Sequence, residues 1–163
     1  VSVAKEDAQL ADTVEYANIV KMWSRCYARG RTNAVWFINQ DVEPQLFQMG
    51  IVVGMGGTPV YLPPGGASGQ PYGTLFGRPV IAIEQCQTLG DAGDIILGDF
   101  SQYILIDKGG VQSASSIHCR FVNDESVFRF VYRVDGQPVW NAPLTPFKGS
   151  NTLSPFVRLA VRA

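Results

Sequence analysis

Three short segments constrain the fold of this chain more than any others. They are Thr74-Leu75-Phe76-Gly77-Arg78-Pro79-Val80, Gly98-Asp99-Phe100-Ser101-Gln102-Tyr103, and Tyr132-Arg133-Val134-Asp135-Gly136-Gln137-Pro138-Val139. Each joins a turn signal to a β-branched or aromatic run, so the sequence specifies strand geometry most sharply. None shows the spacing of a catalytic nucleophile, a metal cage or a phosphate cradle. The pattern points to a protein whose function is its shape.

The 163 residues suffice for one domain or two small lobes with a real core. Hydrophobic residues make up 46% and charged residues 17%, which excludes wholesale disorder and leaves little charge for a freely soluble surface. Burial against other subunits would explain that shortage. A net charge of -1 gives no global field for nucleic acid. Cys26, Cys86 and Cys119 are odd in number and form no C-x-x-C pair, so neither a disulfide framework nor a zinc knuckle is expected, and a reducing cytoplasm suits them. No apolar run approaches the ~20 residues of a membrane helix. Val1 is not an initiator Met, which marks the chain as an expected fragment of something longer.

Apolar residues Tyr16, Ile19, Val20, Trp23, Cys26 and Tyr27 recur at helical steps and predict an amphipathic helix over residues 12–28, ended by Gly30. Val35-Trp36-Phe37-Ile38 reads as a short buried strand. Asn39 or Asp41, followed by Glu43 and Pro44, supplies the start of a helix reaching about Met49. Glycine and proline dominate residues 50–73, which read as a surface excursion interrupted by Val60-Tyr61-Leu62. Short buried strands are expected at residues 78–83 and 94–97. Asp99 is placed to cap a helical turn before Tyr103-Ile104-Leu105-Ile106.

The C-terminal third predicts a long β-hairpin. A four-residue loop, Asn123-Asp124-Glu125-Ser126, would set Val122 opposite Val127 and gather Ile117, Cys119, Phe121, Phe128, Phe130 and Tyr132 on one face. That register places Arg120 opposite Arg129, with His118 nearby and Arg133 further along. Facing like charges call for an acid, so Arg120, Arg129 and Arg133 are candidate interface residues for an acidic group of a neighbouring subunit; the alternative is a solvated, internally paired face. Asp135-Gly136 offers a tight turn, and Pro138 marks an edge strand.

Reactive constellations are weak. Gly54-Met55-Gly56-Gly57-Thr58-Pro59 lacks the Lys of a phosphate loop, and Gly66-Ala67-Ser68-Gly69 departs from the nucleophile elbow by one position. His118 is the sole histidine, so any Ser-His or Cys-His mechanism, and most zinc sites, would have to run through it, with Ser115, Ser116 and Asp124 as nominal partners; its place in a strand suits a structural role better. No catalytic, cofactor-binding or metal-binding residue is assigned. Lys21, Arg25 and Arg29 stand four residues apart as a basic stripe, read as a solvated face or as a contact for phosphate or an acidic partner.

Taken together, residues 1–6 with Gln9 and the helix to Arg29, Ala34-Val35-Trp36-Phe37-Ile38-Asn39-Gln40-Asp41, Leu75-Phe76-Gly77-Arg78-Pro79-Val80, Gly98-Asp99-Phe100-Ser101 and residues 130–139 stand in a characteristic order. The chain resembles, nearly end to end, the C-terminal half of a Hong Kong 97-type major capsid protein of tailed phages or prophages. The resemblance implies an α+β (mixed α/β) subunit, with a short mixed sheet, flanking helices and the long hairpin. Residues 1–101 would form an axial-domain-like lobe, with residues 50–73 near the capsomer axis. Residues 102–163 would form strands and hairpin of a peripheral domain whose spine helix, N-terminal arm and extended loop are absent.

Such a subunit is an icosahedral shell component and not an enzyme. Its implied partners are copies of itself in hexamers and pentamers, a scaffolding segment, a head protease and a portal. The shell encloses double-stranded DNA without sequence-specific binding, no cofactor or membrane is implied, and its place is the virion or, during assembly, the host cytoplasm. The fragment alone is expected to be a monomer or small oligomer of two poorly joined lobes. Alternatives are an encapsulin-like nanocompartment shell, a His118-dependent hydrolase such as a capsid-maturation protease, and a small ligand-binding β-domain.

Overall fold

The computed structural model describes residues 1–53, 56–59, 61–62 and 72–163; for 50–53, 56–59 and 61–62 only strand pairing is described. The chain divides into two compact units, Val1–Ser101 with Ala142–Ala163, and Gln102–Asn141. This corrects the expected 102–163 segment, because residues 142–163 return to the first unit. The return is enforced by strand pairing, described next.

The first unit is built on a seven-stranded mixed sheet. In spatial order its strands are β1 (Ser2–Val3), β13 (Phe156–Leu159), β8 (Ile95–Gly98), β2 (Val35–Ile38), β7 (Arg78–Ala82), β6 (Gly73–Leu75) and β5 (Tyr61–Leu62). β1 runs parallel to β13 and β2 parallel to β7, while the other neighbours are antiparallel. β13 sits between β1 and β8, which is why the C-terminal residues cannot belong to a separate hairpin lobe. Residues 50–73 also hold more strand than expected: β3 (Gly50–Val53) and β4 (Gly56–Pro59) pair antiparallel, and β5 joins the main sheet edge. Pro63-Pro64-Gly65-Gly66 lies outside the described residues.

The segment around Gly77 is a two-residue hairpin in which Leu75 pairs with Arg78. Phe76 and Gly77 have φ of 51° and 71°, the two positive values that a type I′ turn requires. Gly77 adopts this freely, whereas Phe76 costs about 1–2 kcal/mol there. Its ring packing offsets that cost, since it lies 5.6 Å from the Trp23 ring and 6.2 Å from Tyr16. Trp23 in turn stacks on the fully buried Trp36, whose indole N–H donates to the Leu75 carbonyl at 3.1 Å. The turn and the core therefore hold one another.

Helix α1 (Tyr16–Arg25) buries Asn18, Ile19 and Met22 and packs on β13 and β1. It ends five residues before Gly30. Cys26 leaves the helix in extended geometry and bridges to Ser154, with Tyr27 N–H donating to the Ser154 carbonyl at 3.1 Å, so a distant segment stops it. At its start Asn18 Oδ1 accepts the Glu15 N–H and the Gln9 amide, a reciprocal buried pair that no periodicity announces. Asn39 Oδ1 accepts the Asp41 N–H as a cap, after which α2 (Glu43–Gln48) carries Pro44 in its first turn and buries Leu46.

Candidate assembly surface

The second unit consists of two antiparallel ribbons. β9 (Tyr103–Asp107) pairs with β12 (Val134–Pro138), and β10 (Gln112–Arg120) pairs with β11 (Glu125–Val131). The turn before β9 is set by Asp99, whose buried carboxylate accepts both the N–H (3.0 Å) and the hydroxyl (2.7 Å) of Ser101. Asp135-Gly136 is not a tight turn: the two residues lie within β12 opposite Ile106 and Leu105, and Tyr132-Arg133 links β11 to β12. β12 pairs with β9 alone, so Pro138 lies on an edge strand as expected.

The β10–β11 register differs from the expected one. Ser113 faces Phe130, Ala114 faces Arg129 and Ser115 faces Phe128, and a bulge between Ser116 and Arg120 shifts the pairing so that Arg120 meets Glu125. The loop keeps its four residues but moves two positions back, to 121–124, closing through a 3-10 turn at Phe121–Asn123 with Asp124 left-handed at φ 55°. Arg120 and Arg129 do not face each other. Arg120 Nη1 instead pairs with Glu125 Oε2 at 2.8 Å, and Arg129 lies four residues along β11 from Glu125, about 13 Å away. Arg133 falls beyond β11, and its carbonyl accepts the Lys108 N–H. The three arginines therefore form no common cluster.

The remaining candidates are equally separated. No hydrogen bond or ion pair reaches the His118 ring among the described residues, while its backbone N–H donates to Ser116 Oγ at 3.3 Å; Asp124 sits at the hairpin tip. Cys119 is exposed, whereas Cys26 is buried and its thiol is pushed up from 9.0 to about 11 by burial, which keeps it protonated and inert. Burial likewise raises the Cys86 thiol. In the helical stripe Lys21 pairs with Glu6 at 2.5 Å, and Arg25 donates to the carbonyl and hydroxyl of Thr152 at 2.6 Å each. Gly54 and Met55 lie outside the described residues, as does Gly66-Ala67-Ser68-Gly69. Gly56–Pro59 is a strand and not the lead into a helix.

What the second unit does present is apolar surface. Every fully buried apolar side chain belongs to the first unit, and none of residues 102–141 is among them. Phe128 and Phe130 are 67% and 69% exposed, Leu105 67% and Phe121 75%. Alternation along β9 sends Tyr103 and Leu105 to one face and Ile104 and Ile106 to the other, so both faces of that ribbon are apolar. Two-stranded ribbons have little stability of their own, and these ribbons expose large apolar side chains that they do not bury themselves. The sequence reading found these residues but assigned the contact role to arginines.

Comparison with known proteins identifies the family. The profile of the phage capsid family matches residues 1–149. The chain belongs to the phage capsid family. Its members are structural proteins, and the mixed α/β architecture is that of a Hong Kong 97-like capsid fold fragment. Among solved structures, this capsid-family chain is similar to one described as the capsid of an empty GTA particle computed with C5 symmetry, with a TM-score of 0.66 and 18% identity. The match covers 99% of this chain and 50% of that one, so the chain spans half the length of its structural relative. The search of curated proteins gives no match.

Proposed function

We propose that this chain is the shell-forming C-terminal half of a major capsid subunit, which assembles as hexamers and pentamers into an icosahedral shell around double-stranded DNA. The observation that carries this reading is that residues 102–141 form ribbons with no buried apolar side chain of their own. Such a unit is stable when other polypeptide covers it, and a family of shell proteins supplies that cover from the rest of the subunit and from neighbouring copies. In this reading the first unit is the axial lobe and Gln102–Asn141 the peripheral one. A scaffolding segment, head protease and portal act on the whole subunit. The arginines contribute individually at contacts, with no shared acidic group.

Electron microscopy of the full-length product expressed alone tests the proposal. Closed shells or capsomer rings are the expected result, and a persistent monomer at high concentration would overturn it. Phe128→Asp together with Phe130→Asp is expected to abolish assembly while the circular dichroism of the first unit is retained.

A further inference from the structure

The pairing of β9 with β12 continues one step past the strands. Lys108 N–H donates to the Arg133 carbonyl at 2.9 Å, in register with the Val134–Asp107 pair that precedes it. Lys108 and Arg133 therefore stand opposite each other, and alternation puts both on the ribbon face that carries Ile106 and Asp135. Like charges in that relation destabilise a ribbon. Neither side chain has an ion-pair partner among the described residues. Asp107 belongs to the opposite face, and Asp135 Oδ1 accepts the Gly136 N–H at 2.8 Å.

The two cations, with Gly110, Gln112 and Val131, line a hollow of about 120 Å³ that has no acidic residue in its wall. The turn joining Lys108 to Gln112 passes through Gly109 and Gly110 at φ 79° and 66°, and a β-carbon on Gly110 would meet nothing within 4 Å. Gln112 Nε2 lies 3.9 Å from the β-carbon position of Gly109, which brings an amide donor to the same turn. The hollow thus joins an ammonium, a guanidinium fork and a neutral donor.

We propose that Lys108, Arg133 and Gln112 form a binding site for one oxyanion, a carboxylate or a phosphate. The bound anion converts the facing repulsion into charge-assisted hydrogen bonds. It comes either from dissolved phosphate or from an acidic side chain of a second copy of this chain.

Amide exchange of residues 103–112 in the full-length protein tests the site and distinguishes its sources. In unassembled subunits at fixed ionic strength, replacing chloride with phosphate is expected to slow exchange by roughly twofold or more in the wild type. The same replacement should have no effect in Lys108→Gln/Arg133→Gln. In chloride the order inverts, because the variant has lost the repulsion and exchanges more slowly. Protection in phosphate-free assembled particles that depends on Lys108 and Arg133 identifies a neighbour's carboxylate; a phosphate effect confined to free subunits identifies the dissolved ion. Arg129→Gln, a cation outside the hollow, should keep the wild-type response. The proposal is overturned if phosphate acts equally on wild type and double variant and particles protect both alike, or if Arg129→Gln loses the response.

Discussion

Arg162 and Asp94 form a fully buried ion pair that fastens residue 162 to the start of β8. Both guanidinium Nη atoms donate to the carboxylate, Nε donates to the Thr13 carbonyl at 2.6 Å, and Asp94 Oδ2 also accepts the Gly90 N–H at 3.2 Å. One pair therefore joins the N-terminal segment, β8 and the C-terminal segment of the first unit. Arg162→Met leaves a buried carboxylate without its cation and is expected to cost about 3–5 kcal/mol in urea unfolding. Adding Asp94→Leu should recover most of that loss, since the penalty comes from the unpaired charge. Equal destabilisation by the single and double variants would contradict this account.

In the second unit the Tyr103 ring occupies the space above Gly136. A β-carbon at Gly136 would lie 2.6 Å from Tyr103 Cε1 and 2.8 Å from its hydroxyl oxygen. Gly136→Ala is expected to destabilise the β9–β12 ribbon by about 1–3 kcal/mol, read as faster amide exchange in residues 103–107. Tyr103→Ala in the same chain should relieve the clash, leaving the double variant closer to Tyr103→Ala alone than additivity allows.

The hairpin register can be read covalently. Ala114 and Arg129 are direct partners, within the Cα separation that a disulfide spans, whereas Arg120 and Arg129 are offset along the ribbon. In a Cys119→Ser background, Ala114→Cys/Arg129→Cys should oxidise readily and Arg120→Cys/Arg129→Cys should not. The reverse outcome on non-reducing mass spectrometry would restore the register in which the two arginines face.

The three thiols should separate by reactivity. Cys119 is exposed and is expected to react with a disulfide reagent in the folded protein, while buried Cys26 and Cys86 wait for unfolding. The pH dependence follows from the raised Cys26 value, about 11 against 9.0. Above about pH 9 the unfolded chain loses the thiol proton first, so stability falls as pH rises toward about 11 and is unaffected in the neutral range. Cys26→Ala should flatten that alkaline slope in thermal melts, even though the cavity lowers stability at neutral pH.

Local chemistry was readable where its determinants are neighbours in the chain. Val35–Ile38, the Asn39 cap with Pro44 behind it, the turn at Gly77 and the Asp99 cap each need only a few adjacent residues, and each stands where the pattern puts it. The order of these segments was also enough to indicate the capsid family. Tertiary structure decided the rest, because the deciding partner is far away in sequence. Ser154 stops α1 before Gly30, β13 carries residues 142–163 back to the first unit, and Arg162 reaches across to Asp94. The bulge after Ser116 moves Arg120 to Glu125, and the separate pairing of β9 with β12 sets Lys108 opposite Arg133. Period-two alternation fixes which residues share a face of one strand, but a bulge or a distant partner fixes what that face meets.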